Sequence, residues 1–289
     1  MNAAFIGLGA MGLPMARNMH AAGLLSVVHS RTLSKAEALA AEFGIESADS
    51  AVACLAHADV LFLCVTADEQ VLELVDALAV PEARGKLIVD TSTVAASTAK
   101  RAAEKLAAVG ARFVDAPVTG GTEGAIKGSL TFIVGGAEPD VQRAQAGFDA
   151  MGGRSVHMGD VGAGQATKAV NQVMCAGINQ AVTEGLAFAE AQGLPLDKVI
   201  AVTRSGAAGS WFVEHRGASM VRGEFPLGFK LALHLKDLKI VQAMAAENGG
   251  RLPVVDQTVS QYEALMAAGH GDEDISALYR SNKRLFNGN

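Results

Sequence analysis

The pattern of apolar and polar positions changes character once along the chain. Up to residue 161, short unbroken apolar runs alternate with longer stretches of helical period, which predicts strands buried on both faces of a parallel sheet and the helices that cover it. The runs are a first strand closing at Phe5-Ile6, then Leu24–His29, Val60–Val65, Lys86–Val89, Arg112–Asp115, Leu130–Val134 and a last strand near Ser155–His157. Ser34–Phe43 is amphipathic and ends at Gly44, and Asp49–His57 reads as a further helix begun by an N-cap residue. From Gly162 the alternation stops. Gln165–Gln192 runs almost without a breaker, and Leu196–Ser205, Ser210–Arg222, Leu235–Asn248, Val254–Ala268 and Glu273–Tyr279 all have helical period. The predicted architecture is α/β, a Rossmann-type, mostly parallel sheet domain over 1–161 followed by an all-helical domain over 162–289.

The first strand leads straight into Gly7-Leu8-Gly9-Ala10-Met11-Gly12, a complete G-x-G-x-x-G, and a helical pattern follows. In that strand–turn–helix setting the first glycine permits the turn, the second lets a pyrophosphate approach the backbone and the third lets helix pack on strand. The helix N-terminus then favours an anion. Pro14 fits a first helical turn, where its missing N–H has no intrahelical partner. About 20 residues on, an NAD-specific fold places an acid for the ribose 2′-hydroxyl. Here the tip reads His29-Ser30-Arg31-Thr32 with no carboxylate, which favours NADP over NAD, with Arg31 on the 2′-phosphate and Thr32 beside it. Val65 and Thr66, at the carboxyl end of their strand, are expected to line the cofactor site. Another strand ends in Asp90-Thr91-Ser92-Thr93, and the loop Pro117–Gly124 has the small and hydroxyl residues with which backbone N–H groups wrap a small anion.

Composition narrows the classes. A chain of 289 residues is long enough for two domains, and half of it is hydrophobic, which disfavours disorder. The net charge is −6 and the 24 Lys and Arg are scattered, so nucleic acid is not an expected partner. The three cysteines form neither a C-x-x-C pair nor an even framework and read as buried thiols of a reducing compartment, while the seven histidines lack metal-ligand spacing. The first apolar run is too short to span a bilayer and has no basic segment before it, so a cytoplasmic enzyme with no metal and no membrane partner is expected.

Lys168 stands near the start of the long helical stretch, with Asn171 and Gln172 at i+3 and i+4 on the same face. A lysine on an exposed first turn is an ordinary solvated residue. Beside a nicotinamide it could donate the proton that reduction of a carbonyl needs, with the amides orienting it or the substrate.

Over essentially all of its length the chain resembles the β-hydroxyacid dehydrogenases, which include 3-hydroxyisobutyrate dehydrogenase, tartronate semialdehyde reductase and related semialdehyde reductases. The stretches that carry the resemblance are F-I-G-L-G-A-M-G-L-P-M-A (Phe5–Ala16), D-A-P-V-T-G-G (Asp115–Gly121), G-A-G-Q-A-T-K-A-V-N-Q (Gly162–Gln172) and F-K-L-A-L-H-L-K-D-L (Phe229–Leu238). The resemblance implies hydride transfer between a nicotinamide and a small carboxylate-bearing aldehyde or 3-hydroxyacid. It makes Lys168 the catalytic lysine, assisted by Asn171. Thr119, Gly120 and Gly121 would hold the substrate carboxylate, and Thr93 and Lys236 would lie near the nicotinamide end of the cofactor. It also implies a homodimer or homotetramer built through the helical domain. Thr119 stands where many members have serine, and Gln172 where many have a second asparagine. The Asn-Gln pair and the L-H-L-K-D-L run look most like tartronate semialdehyde reductase, and Ser210-Trp211 places an indole at the expected pocket wall. Two other readings share the architecture: an imine reductase, for which the resemblance leads one to expect a different residue at position 168, and a silent dinucleotide-binding scaffold, against which Lys168 argues. A 6-phosphogluconate dehydrogenase would need a larger helical domain.

Overall fold

The computed structural model describes residues 1–286, and the chain divides into two compact units, one over Met1–Lys168 and the other from Ala169 onward. In the first unit the strands are β1 (Ala3–Ile6), β2 (Leu25–His29), β3 (Glu46–Ser47), β4 (Val60–Leu63), β5 (Leu87–Asp90), β6 (Arg112–Asp115), β7 (Val118–Thr119), β8 (Leu130–Gly135) and β9 (Gly152–Gly159). Among the described residues they form one sheet in the order β3-β2-β1-β4-β5-β6-β8-β7, with β9 also on β8. Strands β1 to β6 are mutually parallel, as an unbroken apolar strand covered on both faces requires. Helices α1 (Gly12–Ala21), α2 (Leu33–Phe43), α3 (Asp68–Leu78), α4 (Ala96–Ala108), α5 (Gly121–Lys127) and α6 (Glu138–Met151) follow the strands.

The core of this unit lies in two layers, one per face of the sheet. Phe5, Phe62, Val89, Val114 and Phe132 pack with Met15 and Met19 of α1 and Phe148 of α6. Ile6, Leu61, Leu63, Ile88 and Phe113 face the other way, toward Val71 and Val75 of α3 and Leu106 of α4. Alternate residues of each strand thus serve opposite layers, the period-two rule of an extended chain.

From there on the chain is helical: α7 (Ala163–Ala191), α8 (Leu196–Thr203), α9 (Trp211–His215), α10 (Gly217–Val221), α11 (Leu231–Glu247), α12 (Pro253–Ala267) and α13 (Leu278–Arg284). Leu186, Leu231, Leu238, Val259, Tyr262 and Leu278 are among its core residues. Its one extended pairing among the described residues is the isolated bridge of Lys230 with Asp274.

Several elements differ from the sequence reading. The helix expected over Asp49–His57 is a turn followed by one 3₁₀ turn, Ala53–Ala56, where the Ser50 hydroxyl accepts from the Ala53 amide at 3.3 Å. The segment is only nine residues long, too short for a helix to hold without packing along its whole length, and the two-residue β3 just before it had no apolar run to announce it. The stretch expected as one helix over Ser210–Arg222 is two, α9 and α10, broken at Arg216. Helix α11 starts at Leu231, earlier than the Leu235 expected. The last helix begins at Leu278 rather than Glu273, because Asp274 caps a 3₁₀ turn first, its carboxylate accepting from the Ser276 amide at 3.0 Å. The Gly-rich stretch 117–124 is no open loop: it contains β7 and the first turn of α5.

Candidate active site

The parallel strands end level with one another. Ile6 pairs with Leu63, Leu63 with Asp90 and Asp90 with Asp115, so the residues that follow emerge side by side along the carboxyl edge of the sheet. Ligands of open α/β sheets bind at this edge.

At Gly7 the backbone turns with φ 102°, and a Cβ there would stand 2.2 Å from the Cys64 carbonyl oxygen. A Cβ on Gly12 would stand 1.9 Å from the Gly7 carbonyl oxygen and 3.1 Å from the Phe5 ring. Turn and helix can therefore pack only as glycines. Gly9 is different: nothing lies within 4 Å of its would-be Cβ, so the middle of the motif faces open space. No acidic residue stands in the first turn of α1 and no side chain caps its N-terminus. A bare backbone before an uncapped helix start fits the pyrophosphate of a dinucleotide. Leu8 is buried beneath this turn, Ala10 is exposed and Met11 is half-buried.

At the tip of β2 the His29 ring bonds the Ala48 carbonyl at 2.9 Å and Ser30 is buried, so Arg31 and Thr32 are the exposed residues there. After β4, the Val65 amide donates to the Ser92 hydroxyl at 2.9 Å and the exposed Thr66 donates its amide to the Gln70 side chain at 2.9 Å. After β5 come Thr91, whose hydroxyl donates to the Leu63 carbonyl at 2.7 Å, then Ser92 and the half-buried Thr93. Strand β8 runs antiparallel to β6 and meets it where Asp115 faces Gly135, so the rest of β8, with β7 on it, extends beyond the carboxyl edge. Thr119, Gly120 and Gly121 lie on that extension, at the join of β7 and α5, with both glycines at positive φ (127° and 61°).

Helix α7 starts against the same edge. The Asp115 carboxylate accepts from the Gly162 amide at 2.7 Å and from the Gln165 amide at 2.9 Å, taking up N–H groups that the first turn of a helix leaves without intrahelical partners. Lys168 follows on this helix and is buried, with 7% of its surface exposed. Asp90 and Asp115 are neighbouring buried carboxyls. Burial pushes Asp115 up to about 6, against the pull of the Gly162 and Gln165 amides. Burial pushes Asp90 up to about 7, with the Asp115 charge adding to it and Ser92 opposing it.

In the helical unit, taken by itself, the Asn171 amide donates to the Gln172 side-chain oxygen at 2.9 Å. Gln172, buried, donates in turn to the Asp237 carboxylate at 2.7 Å. The other oxygen of Asp237 lies 2.8 Å from the Lys236 ammonium. Residues of α7 and α11 thus form one polar chain in which Asp237 orders both an amide and a cation. Trp211 opens α9, half exposed, stacked on the His215 ring with centroids 4.6 Å apart and with the Arg216 guanidinium over the indole at 4.9 Å from its centroid.

The glycine turn, Arg31, Thr32, Val65, Thr66 and Thr93 all follow the ends of parallel strands, Thr119–Gly121 lie on the β7–β8 extension, and Lys168 sits on the helix that Asp115 anchors. Asn171, Gln172 and Lys236 are joined to one another, and Trp211 stands outside that chain of bonds. Asp90, Asp115, Gln165 and Asp237 had been given no role. Asp115, Gln165 and Asp237 lie inside stretches already singled out for their motifs, but each acts through partners distant in sequence. Among the described residues no group of three or more His, Cys, Asp or Glu is arranged to hold a metal ion, and no helix is long and apolar enough to cross a membrane. Cys54 is buried, whereas Cys64 and Cys175 are only half-buried, and none of the three is in a disulfide.

Known proteins share this organisation. Residues 2–159 match the family described as the NAD binding domain of 6-phosphogluconate dehydrogenase, and residues 162–281 match that described as NAD-binding of NADP-dependent 3-hydroxyisobutyrate dehydrogenase. The 2-hydroxy-3-oxopropionate reductase of Escherichia coli is 32% identical over 99% of each chain. The NAD-dependent L-serine dehydrogenase of Pseudomonas aeruginosa is 33% identical over 96% of each. The solved structure of the 3-hydroxyisobutyrate dehydrogenase of Mycobacterium tuberculosis with L-serine superposes with a TM-score of 0.88 at 30% identity, over 97% of this chain and 98% of the other.

Proposed function

The chain belongs to the β-hydroxyacid dehydrogenase family, as an NAD(P)-dependent oxidoreductase akin to 3-hydroxyisobutyrate dehydrogenase, and from that premise we propose that it interconverts a small carboxylate-bearing aldehyde and its 3-hydroxyacid with Lys168 as the proton-transfer group. Tartronate semialdehyde and 3-hydroxyisobutyrate represent the substrate class. The observation that carries the reading is the burial of Lys168. An ammonium withdrawn from water costs free energy that a solvated surface lysine avoids, so this is no incidental surface charge. A nicotinamide dinucleotide, when bound, supplies or accepts the hydride.

The protein's own part is to hold the substrate and move a proton. In reduction, Lys168 Nζ gives its proton to the substrate oxygen as negative charge develops there; in oxidation it takes the proton back. The Thr119 hydroxyl and the amides of Gly120 and Gly121 hold the substrate carboxylate. Asn171, one helical turn after Lys168, donates to the substrate, and Gln172 fixes it by accepting its amide while bonded to Asp237. Trp211 limits the size of what enters. Gly7 to Gly12, with Leu8, Ala10 and Met11, bind the pyrophosphate; Val65, Thr66, Thr93 and Lys236 line the cofactor. Arg31 and Thr32 recognise a 2′-phosphate, making NADP the preferred form and NAD the poorer one. On this reading residues 1–161 bind the cofactor, while 162–289 shape the substrate site and the contacts of a cytoplasmic homodimer or homotetramer. The exposed apolar row Val170, Met174, Ile178 and Phe188 on α7 is the surface such an oligomer would cover, and light scattering that returned a monomer would remove this part.

Turnover of glyoxylate, tartronate semialdehyde, succinic semialdehyde and methylmalonate semialdehyde with NADPH and NADH, followed at the nicotinamide absorbance, identifies the substrate. With the best of these, Lys168→Ala should lower kcat roughly 10²–10⁴-fold while cofactor affinity stays the same. Hydride transfer at the wild-type rate in that variant would show that Lys168 is not the proton donor.

A further inference from the structure

Gln165 is 1% exposed, and both ends of its side-chain amide bond the backbone of another segment. Its Oε1 accepts from the Val94 amide at 3.1 Å and its Nε2 donates to the Ser92 carbonyl at 2.8 Å. These two groups flank Thr93, so the amide grips that residue's backbone on both sides. Two antiparallel bonds from one planar group fix orientation as well as distance. The same residue's main-chain amide is held by Asp115, at 2.9 Å, and Ser92 in turn is tied to β5 by its amide on the Asp90 carboxylate at 3.0 Å. The fit around the joint is close. A Cβ on Gly164 would stand 2.5 Å from the Ile133 carbonyl oxygen and 2.8 Å from the Asp115 carboxylate, so the helix start rests directly on the strand ends.

Lys168 lies three residues after Gln165, about 4.5 Å further along the helix at 1.5 Å per residue and on the same side. We propose that Gln165 is a positioning residue for the reaction: by clamping the backbone around Thr93 while Asp115 holds its own, it makes the loop after β5 and the turn that carries Lys168 a single rigid piece. The inference rests on the reading of Lys168 as proton donor. A filler side chain would need only the right volume at this position. The bonds to Ser92 and Val94 set the distance between a loop at the expected nicotinamide end and the proton donor, where a displacement of about 1 Å can cost roughly 100-fold in rate.

The test is a double-mutant cycle on single-turnover hydride transfer with NADPH and the most active semialdehyde of the four above. Gln165→Met keeps the length and removes both bonds. It should slow the step roughly 10–100-fold, leave the NADPH dissociation constant within about twofold, and add nothing when combined with Lys168→Ala, because a residue acting through Lys168 has no effect once the lysine is gone. If Gln165→Met does not fold, Gln165→Glu, which can still accept from Val94 but sets an acceptor against the Ser92 carbonyl, is carried through the same cycle with the same expectation. A wild-type rate in either variant, or losses that multiply in the double variant, overturns the inference while leaving Lys168 in its role. A rate loss matched by an equal loss of NADPH affinity does so too, since the loop would then serve binding alone. If Lys168→Ala itself transfers hydride at the wild-type rate, the proton-donor reading falls first, and this inference with it.

Discussion

In the sheet unit, a group of buried polar residues, Asp90, Thr91, Ser92, Asp115 and Gln165, gathers at one edge, beyond two layers of Phe, Leu, Val and Met that line the strands. In the helical unit, buried polar groups run through the middle. Asn179 donates to the Tyr262 hydroxyl at 3.1 Å and to the Ile275 carbonyl at 2.8 Å, and Tyr262 meets the His234 ring at 3.1 Å. Gln180 donates to Thr258 at 3.0 Å, and Asn282 to Thr183 at 2.8 Å. The contrast follows from how each kind of element satisfies its backbone. Strands are aligned by their own ladder, so the side chains between layers can all be apolar and the polar ones are left for the edge. A helix satisfies its backbone internally and leaves the choice of neighbour to side chains. Amides and hydroxyls that must find one another among α7, α11, α12 and α13 narrow that choice.

Four substitutions sharpen the contrast. The largest effect is expected at the glycine turn. Gly12→Ala sets a methyl group 1.9 Å from a backbone oxygen and should destabilise the sheet unit by roughly 4 kcal/mol or more, taking cofactor binding with it. Gly9→Ala meets open space, so the melting temperature should hold while cofactor affinity falls, measured by titration of NADPH fluorescence. Equal behaviour of the two variants would break the distinction between a packing glycine and an approach glycine.

Next comes the centre of the helical unit. Asn179→Ala removes the side-chain bonds to the Ile275 carbonyl and the Tyr262 hydroxyl and leaves a cavity, at a cost of roughly 2–4 kcal/mol in chemical denaturation. Little or no loss there would mean that the polar thread contributes no stability and that apolar packing alone holds these helices.

The smallest effect, at the sheet edge, depends on pH. Asp90 has a folded-state pKa of about 7 against an ordinary 3.8, so the native protein keeps a proton that the unfolded chain releases between those values. The contribution is intact below about pH 4 and is lost as pH rises toward 7. Asp90→Asn does not titrate and can still accept from the Ser92 amide. Its melting temperature should therefore gain on the wild type between pH 5 and pH 8, by the equivalent of roughly 1–3 kcal/mol at about 1.4 per pKa unit. A gap that stays constant or narrows over that range would show Asp90 to be ionised throughout.

The contrast also explains what could be read from the sequence. Strands filled on both faces leave unbroken runs such as Val60–Leu63, the glycine motif carries its own context, and α7 has no breaker, so the main strands and the long helix were legible. Elements without a run of their own were not. Two-residue β3 and β7 exist only because β2 and β8 offer them an edge, and the break at Arg216 leaves no Pro or unusual spacing ahead of it. In the site, the single residues of the motifs could be named, but the bonds that join them could not. Asp115 meets Gly162 and Gln165 across some fifty positions of chain, a pairing that depends on β6 and β8 ending together at Gly135.

Trp211 is the chain's one tryptophan. Its ultraviolet emission therefore reports from a single address, the start of α9, where the indole is stacked on His215 and lies close to Arg216. Circular dichroism, by comparison, sums over every helix and strand. Followed together through a denaturant titration, the two signals form a local and a global thermometer of the same molecule: coincident midpoints mean that the chain melts as one cooperative body, and separated midpoints give the helical unit a stability of its own.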